Sequence, residues 1–190
     1  MLEGILLSLQ QRVSWRVVLI LAAALVLMSV VIFTFGWAPR LEAISGEPLL
    51  DTIFAYSADD LYRILGTYGP EGRVLYRQYL IWVDLLYGTL AGVTFAAILL
   101  ALSKSVDRLG GLLRTAALIP ILMMVLDYLE DGLLLLLLTR FPEIVIGLAS
   151  MASLATSLKL ITVYLSLILM VGGFLLAILH RGYRQRANQR

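Results

Sequence analysis

Polar and apolar positions along this chain do not alternate with the 3.6-residue rhythm of a water-soluble helix, which keeps one charged face. They separate into blocks. Residues 17–38, 79–102, 115–139 and 160–179 are long apolar runs, each close to the roughly 20 residues that a helix needs to cross a bilayer. The pattern predicts an all-α polytopic membrane protein, with four transmembrane helices in an up-down bundle. With their flanks the spans are about 15–38, 78–103, 114–139 and 150–180. They form a single membrane domain over residues 1–190, with a connecting loop 39–77 and a basic tail 181–190. Trp15 and Trp37 bracket the first run, roughly 33 Å apart at 1.5 Å per residue, about one bilayer with an aromatic at each interface. Its length, and the lack of a small-x-small site after it, favour a retained helix over a cleaved signal peptide.

The loop 39–77 is punctuated by Gly46, Pro48, Gly66, Gly69, Pro70 and Gly72. Within it Ser57-Ala58-Asp59-Asp60 can cap a short helix that carries Leu61, Tyr62, Ile64 and Leu65 and stops at Gly66. That helix can lie on the membrane surface or fold over the mouth of the bundle. A second start at Pro70 runs through Arg73, Tyr76 and Arg77 into the second span. There, Gly88 and Gly92 form a G-x-x-x-G pair, read as internal helix packing before dimerisation. In the third span Pro120 predicts a bend one or two turns before Asp127. Residues 140–143 read as a turn, and one long helix follows it.

Polar residues inside the spans change the picture most. The third carries Asp127, Glu130 and Asp131, which fall on nearly one helical face. The second carries Asp84 and Tyr87, and the fourth carries Lys159 among serines and threonines. An ionisable side chain at bilayer depth costs at least ~2.5 kcal/mol and marks a functional site by default. Counting rise per residue from the outer ends puts Asp84 roughly 9 Å deep, and Asp131, Glu130 and Asp127 roughly 14 to 20 Å deep. Lys159 is accordingly expected to pair with Asp131, Glu130 or Asp84 rather than the deeper Asp127, which is expected to stay protonated. The candidate ligand-binding set is Asp84, Asp127, Glu130, Asp131, Lys159, Tyr87 and Tyr128, with Arg73, Tyr76 and Arg77 at the pocket entrance.

Charge then sets orientation. The pI is about 9.0, with a net charge of +2. Arg12, Arg16, Lys104, Arg108, Arg114 and the four arginines of the tail fall on one side, against Arg40, Arg63, Arg73, Arg77 and Arg140 on the other. The positive-inside rule places both termini in the cytoplasm and the loop 39–77 outside. Basic residues that flank spans point to lipid contact rather than to nucleic acid. There are no cysteines and only one histidine, so disulfides, thiolate chemistry and a histidine cluster are excluded. No nucleophile–base pair is legible, so no catalytic residue is assigned and an enzyme is disfavoured. The carboxylates show no defining metal-ligand spacing, so no metal and no cofactor is expected.

Tyr56-Ser57, Gly69-Pro70-Glu71-Gly72-Arg73-Val74-Leu75-Tyr76, Asp84 and Asp127-Tyr128-Leu129-Glu130-Asp131 together resemble a widespread group of small bacterial four-helix membrane proteins. Their third helix reads Asp-x-x-Glu-Asn, and Asp131 here replaces the Asn. The resemblance covers most of the chain; it implies the four-helix fold and a bacterial inner membrane, and brings no activity with it. A looser likeness is to the sterol-isomerase and sigma-2 receptor group, whose histidine and tryptophan signature this chain lacks. The function expected is an outward-opening intramembrane acidic pocket that binds or transports a small or amphiphilic ligand. The alternatives are a structural or assembly subunit of a membrane complex and a lipid-modifying acid/base enzyme. Membrane lipids are the expected partners, with a homo-oligomer or a second membrane protein as further possibilities.

Overall fold

The computed structural model describes residues 2–106 and 109–187. The basic residue Arg108 and the last three residues of the tail, 188–190, lie outside the described residues. The chain is helical, with no strand among the described residues. Three helices are long and apolar enough to cross a membrane: Trp15–Ser45, Gly69–Ser103 and Ile146–Arg181, of 31, 35 and 36 residues. The helix Leu118–Arg140 has 23 residues, length enough for a span at 1.5 Å per residue, but Asp127, Glu130 and Asp131 interrupt its apolar character.

In chain order, α1 (Leu2–Arg12) is a short helix that the apolar pattern did not predict. It is tied down by Gln10, which donates to Ser103 Oγ at 2.7 Å, and by Lys104, which donates to the Val13 carbonyl at 2.7 Å. The first long helix is α2 (Trp15–Val30), capped by Ser14 and extended by a π turn, Val31–Phe35. It does not stop at Pro39-Arg40 as expected. The chain kinks at Gly36, where a Cβ would sit 2.4 Å from the Val31 carbonyl oxygen, and restarts as α3 (Trp37–Ser45). Pro39 then occupies the first turn of α3, where its missing N–H costs no hydrogen bond.

After Gly46, in a left-handed conformation with φ 71°, the connection dips inward through a single 3-10 turn, Leu50–Thr52. α4 (Ala58–Thr67) starts at Ser57 with a reciprocal capping box. Asp60 N–H donates to Ser57 Oγ and Ser57 N–H donates to Asp60 Oδ2, both at 3.1 Å. Its apolar stripe of Leu61, Ile64 and Leu65 is buried. α5 (Gly69–Tyr79), with Pro70 at its start, continues through a π turn, Leu80–Asp84, into α6 (Leu85–Ser103).

α7 (Gly110–Ala116) and α8 (Leu118–Arg140) meet at Ala117. Pro120 removes the hydrogen bond to the Ala116 carbonyl and crowds it, so the break falls there. It lies nearly a turn further from Asp127 than Pro120 itself does. A turn closed by Glu143 N–H to the Arg140 carbonyl, 2.8 Å, leads to α9 (Ile146–Ala187), a single helix that runs on into the basic tail.

Among the described residues, two large apolar cores result, beside a small cluster of Val18, Ala97 and Ala101 between α2 and α6. The first joins α3, the 3-10 turn, α4 and α5 to the adjoining ends of α8 and α9, around Leu41, Leu50, Leu61, Tyr68, Tyr76 and Leu137. The second packs the opposite ends of α6, α7 and α9 around Leu99, Leu102, Leu113, Met170 and Ala177. The connection 46–57 therefore folds over the bundle rather than lying apart from it.

Candidate functional site

Between the two cores lies a layer of buried charge. Asp84, Asp127, Glu130, Asp131 and Lys159 are all buried, from three different helical segments. Lys159 Nζ is 2.5 Å from Glu130 Oε2 and 3.3 Å from Asp127 Oδ1. The expected Glu130 partner is present, but Asp127 replaces Asp131 as the second. The physical reason is helix length. Lys159 lies as many residues after Ile146, the start of α9, as Asp127 lies before Arg140, the end of α8, so antiparallel packing puts the two at one depth. Glu130 is further fixed by Thr156, whose hydroxyl donates to Oε1 at 2.6 Å. Thr156 in turn meets the Tyr56 hydroxyl at 3.2 Å. Burial raises the Tyr56 phenol well above its ordinary range, so it serves as a neutral hydroxyl.

A π turn sets Asp84. In an α-helix, residues five apart point about 140° away from each other. The wider i to i+5 winding brings Tyr79 and Asp84 to one side, and the Tyr79 hydroxyl donates to Asp84 Oδ1 at 2.9 Å. Tyr79 also reaches Asp51 Oδ2 at 3.5 Å, and the Tyr76 hydroxyl donates to Asp51 Oδ1 at 2.8 Å. Asp51 is thus a fifth buried carboxylate, which its place in a polar loop concealed. The signal available was Leu49-Leu50 just before it, an apolar pair that had to be buried. Tyr56 was likewise unassigned from sequence, because a hydroxyl at contact distance has no spacing signature.

Gly88 makes room for the cluster. A Cβ there would lie 1.8 Å from Asp127 Oδ2, and one at Gly92 would lie 3.0 Å from both Met124 Cβ and the Pro120 carbonyl. The G-x-x-x-G pair therefore faces α8 inside this chain, and its upper glycine seats an acid.

A cavity of about 190 Å³ adjoins the acids. Asp84, Asp127 and Lys159 form its polar end, with Tyr87 beside them, and Ala91, Phe95, Met123, Leu160 and Val163 its apolar walls. Asp51, Thr52 and Tyr79 cover it toward the connection 46–57. On the opposite flank it lies between Phe33, which is exposed, and Leu160 and Val163, which are half-buried. α2 and α9 touch at Trp15 and Phe174, with ring centroids 6.0 Å apart, beside the second core rather than here.

The remaining candidates sit elsewhere. Tyr128 faces outward and pairs with the Thr89 hydroxyl, not with the cavity. Arg73 donates to the Leu65 carbonyl at 2.8 Å and stacks 4.3 Å above the Phe141 ring. Arg77 is exposed beside it, and neither arginine lines the cavity. Tyr76 is buried beneath the connection, holding Asp51.

The balance of charge is uneven. Five carboxylates face one ammonium, and Asp84 Oδ2, Asp127 Oδ2 and both oxygens of Asp131 are buried without a hydrogen-bond partner. Buried carboxylates are retained only when paired, protonated or bound to a cation. No family model matches this chain, and no curated protein or solved structure matches it either, which leaves the geometry of the cluster to carry its functional reading.

Proposed function

We propose that this chain is a four-span membrane protein whose acidic cavity binds or transports a small cationic amphiphile. In this reading α8 crosses the bilayer as the fourth span, because its three acids point into the bundle and its leucines meet lipid and the cores. Both termini lie on the basic, cytoplasmic side of a bacterial inner membrane, and α3 to α5 form an extracytoplasmic cap. The cap covers the outward side of the cavity, so the entrance is lateral, between α2 and α9, from the hydrocarbon.

One observation carries the proposal: apolar walls converge on carboxylate oxygens that the protein itself leaves without partners. A purely structural polar core would pair each acid and fill the space between them. The volume is also informative. An engineered apolar cavity of about 150 Å³ takes up benzene, so 190 Å³ suits a ring or short chain bearing one amine. Lys159 stands at the same end and sets the limit on how much positive charge enters.

Benzylammonium is the direct probe and benzyl alcohol its neutral counterpart. Calorimetric titration of the purified protein in lipid nanodiscs, with EGTA present, should show saturable binding of the amine and much weaker binding of the alcohol. Asp84→Asn, which changes only the polar end of the cavity, should weaken the amine alone. Equal affinity for amine and alcohol, or an unaffected Asp84→Asn protein, would overturn the proposal.

A further inference from the structure

Asp131 is the acid that the cavity does not explain. It is 2% exposed, neither of its oxygens has a hydrogen-bond partner, and it is absent from the cavity lining. An organic amine in the cavity meets Asp84 and Asp127 first, and Asp131 lies beyond them. Lys159 cannot answer it either, because that ammonium is taken by Asp127 Oδ1 and Glu130 Oε2.

Oxygens from Asp84, Asp127 and Asp131 do, however, converge: one from each lies within 4.8 Å of the others. We propose that these three aspartates form a binding site for a hard divalent cation, calcium above all. The donor chemistry selects the class. The cluster is all oxygen, the chain has no cysteine, and its one histidine, His180, lies near the far end of α9, so the soft and borderline metals that favour sulfur and imidazole are poorly served. Calcium takes about 6–8 oxygen ligands in flexible geometry, whereas magnesium demands a near-ideal octahedron and keeps much of its water, so a buried cluster of carboxylates suits calcium better.

Two further features fit a built site. Among the three aspartates, the oxygens without a hydrogen-bond partner are Asp84 Oδ2, Asp127 Oδ2 and both from Asp131, so each acid retains at least one free donor. Tyr79 holds Asp84 Oδ1 and Lys159 holds Asp127 Oδ1, which fixes the two carboxylates and turns their second oxygens free. Gly88 supplies the space for Asp127 Oδ2, which any side chain there would displace. A cation so placed would answer Asp131 and reduce the charge that an amine meets at the polar end of the cavity. The inference concerns an ion, not the organic ligand, and does not depend on that ligand being an amine.

The test uses full-length protein washed with EGTA in lipid nanodiscs, titrated with calcium and followed by calorimetry and melting temperature. Wild type should bind calcium saturably in the micromolar to millimolar range and melt several degrees higher, reversibly with EGTA. Asp131→Asn removes one ligand and no protein hydrogen bond, so it should fold and lose at least about tenfold in calcium affinity, at the low end of metal-site changes. Asp59→Asn, an exposed acid on α4, should behave as wild type. Wild type without saturable binding at millimolar calcium overturns the site, whatever the variants do. So does an Asp131→Asn protein that keeps wild-type affinity, which would mark surface binding only. Because benzylammonium is titrated in EGTA, amine binding without calcium binding removes this inference and leaves the proposed function standing. Calcium binding without amine binding does the reverse.

Discussion

The two apolar cores are built from different materials. The second, around Leu99, Leu102, Leu113 and Ala177, is alanine, leucine, valine and methionine, contributed mainly by helices packed along their length. The first is rich in tyrosine: Tyr56, Tyr68, Tyr76 and Tyr79 are all buried within it, and each hydroxyl is committed. Tyr68 donates to the Pro48 carbonyl at 2.6 Å, Tyr76 to Asp51, Tyr79 to Asp84, and Tyr56 meets Thr156. A leucine core fills space. A tyrosine core fills space and also delivers hydrogen bonds to a defined point, here the edge of the acid layer. The difference teaches that α3 to α5 and the charged cluster are tied together by hydrogen bonds, while the opposite end of the bundle is held mainly by apolar packing.

The largest expected effects separate two mechanisms of loss. Lys159→Met leaves Glu130 and Asp127 buried without their ammonium, a change that costs about 3–5 kcal/mol when nothing compensates. Leu99→Ala, in the aliphatic core, costs about 2–5 kcal/mol by lost packing. Melting curves in one detergent should show both. A raised proton concentration should relieve the lysine variant, whose stranded carboxylates can be neutralised, and leave Leu99→Ala unrelieved. Parallel responses to pH would dissolve the contrast between the two regions.

A smaller effect tests the seat of Asp127. Gly88→Ala places a methyl on a carboxylate oxygen and should cost about 1–3 kcal/mol, the usual range for overpacking. Gly132→Ala, one residue after Asp131 on α8, meets nothing within 4 Å and should stabilise by up to about 1 kcal/mol through helix propensity. Thermal unfolding of the pair decides it, and equal melting temperatures would remove the crowding argument.

The smallest effect is in the cap. Hydrogen bonds from the Ser57 side chain and backbone hold the Asp60 carboxyl below its ordinary value. A group with a lowered folded-state pKa contributes stability above its unfolded value, about 4, and loses it as pH falls through the folded value. Amide exchange in α4 should therefore be faster in Asp60→Asn than in wild type at neutral pH. The two should converge in acid. A difference that persists unchanged in acid would mean that Asp60 acts through packing and not through its charge.

Much of this architecture is written locally. Apolar runs of bilayer length require helices, because only internal hydrogen bonding satisfies the backbone there. Ser57 with Asp60, and Pro70 at a helix start, are nearest-neighbour signals, and α4 and α5 begin where they stand. That Asp84, Asp127, Glu130, Asp131 and Lys159 fall within or beside the long apolar runs is likewise a matter of counting residues from the ends of the runs. Counting could not settle which acid meets Lys159, since the turn between α8 and α9 and the facing of two helices set a contact of a few ångströms. It could not find Asp51, because a loop carboxylate is ordinarily solvated and only the folding-over of the connection buries it. It grouped Asp84 with Asp127 and Asp131 by depth but could not bring their oxygens within 4.8 Å of one another, because a cluster shared between helices has no fixed spacing along the chain. Helix and charge type follow from composition and periodicity, which act over a few residues. Partnership among the charges is decided by tertiary packing, because desolvation and Coulomb energies depend on distances that only the folded bundle defines.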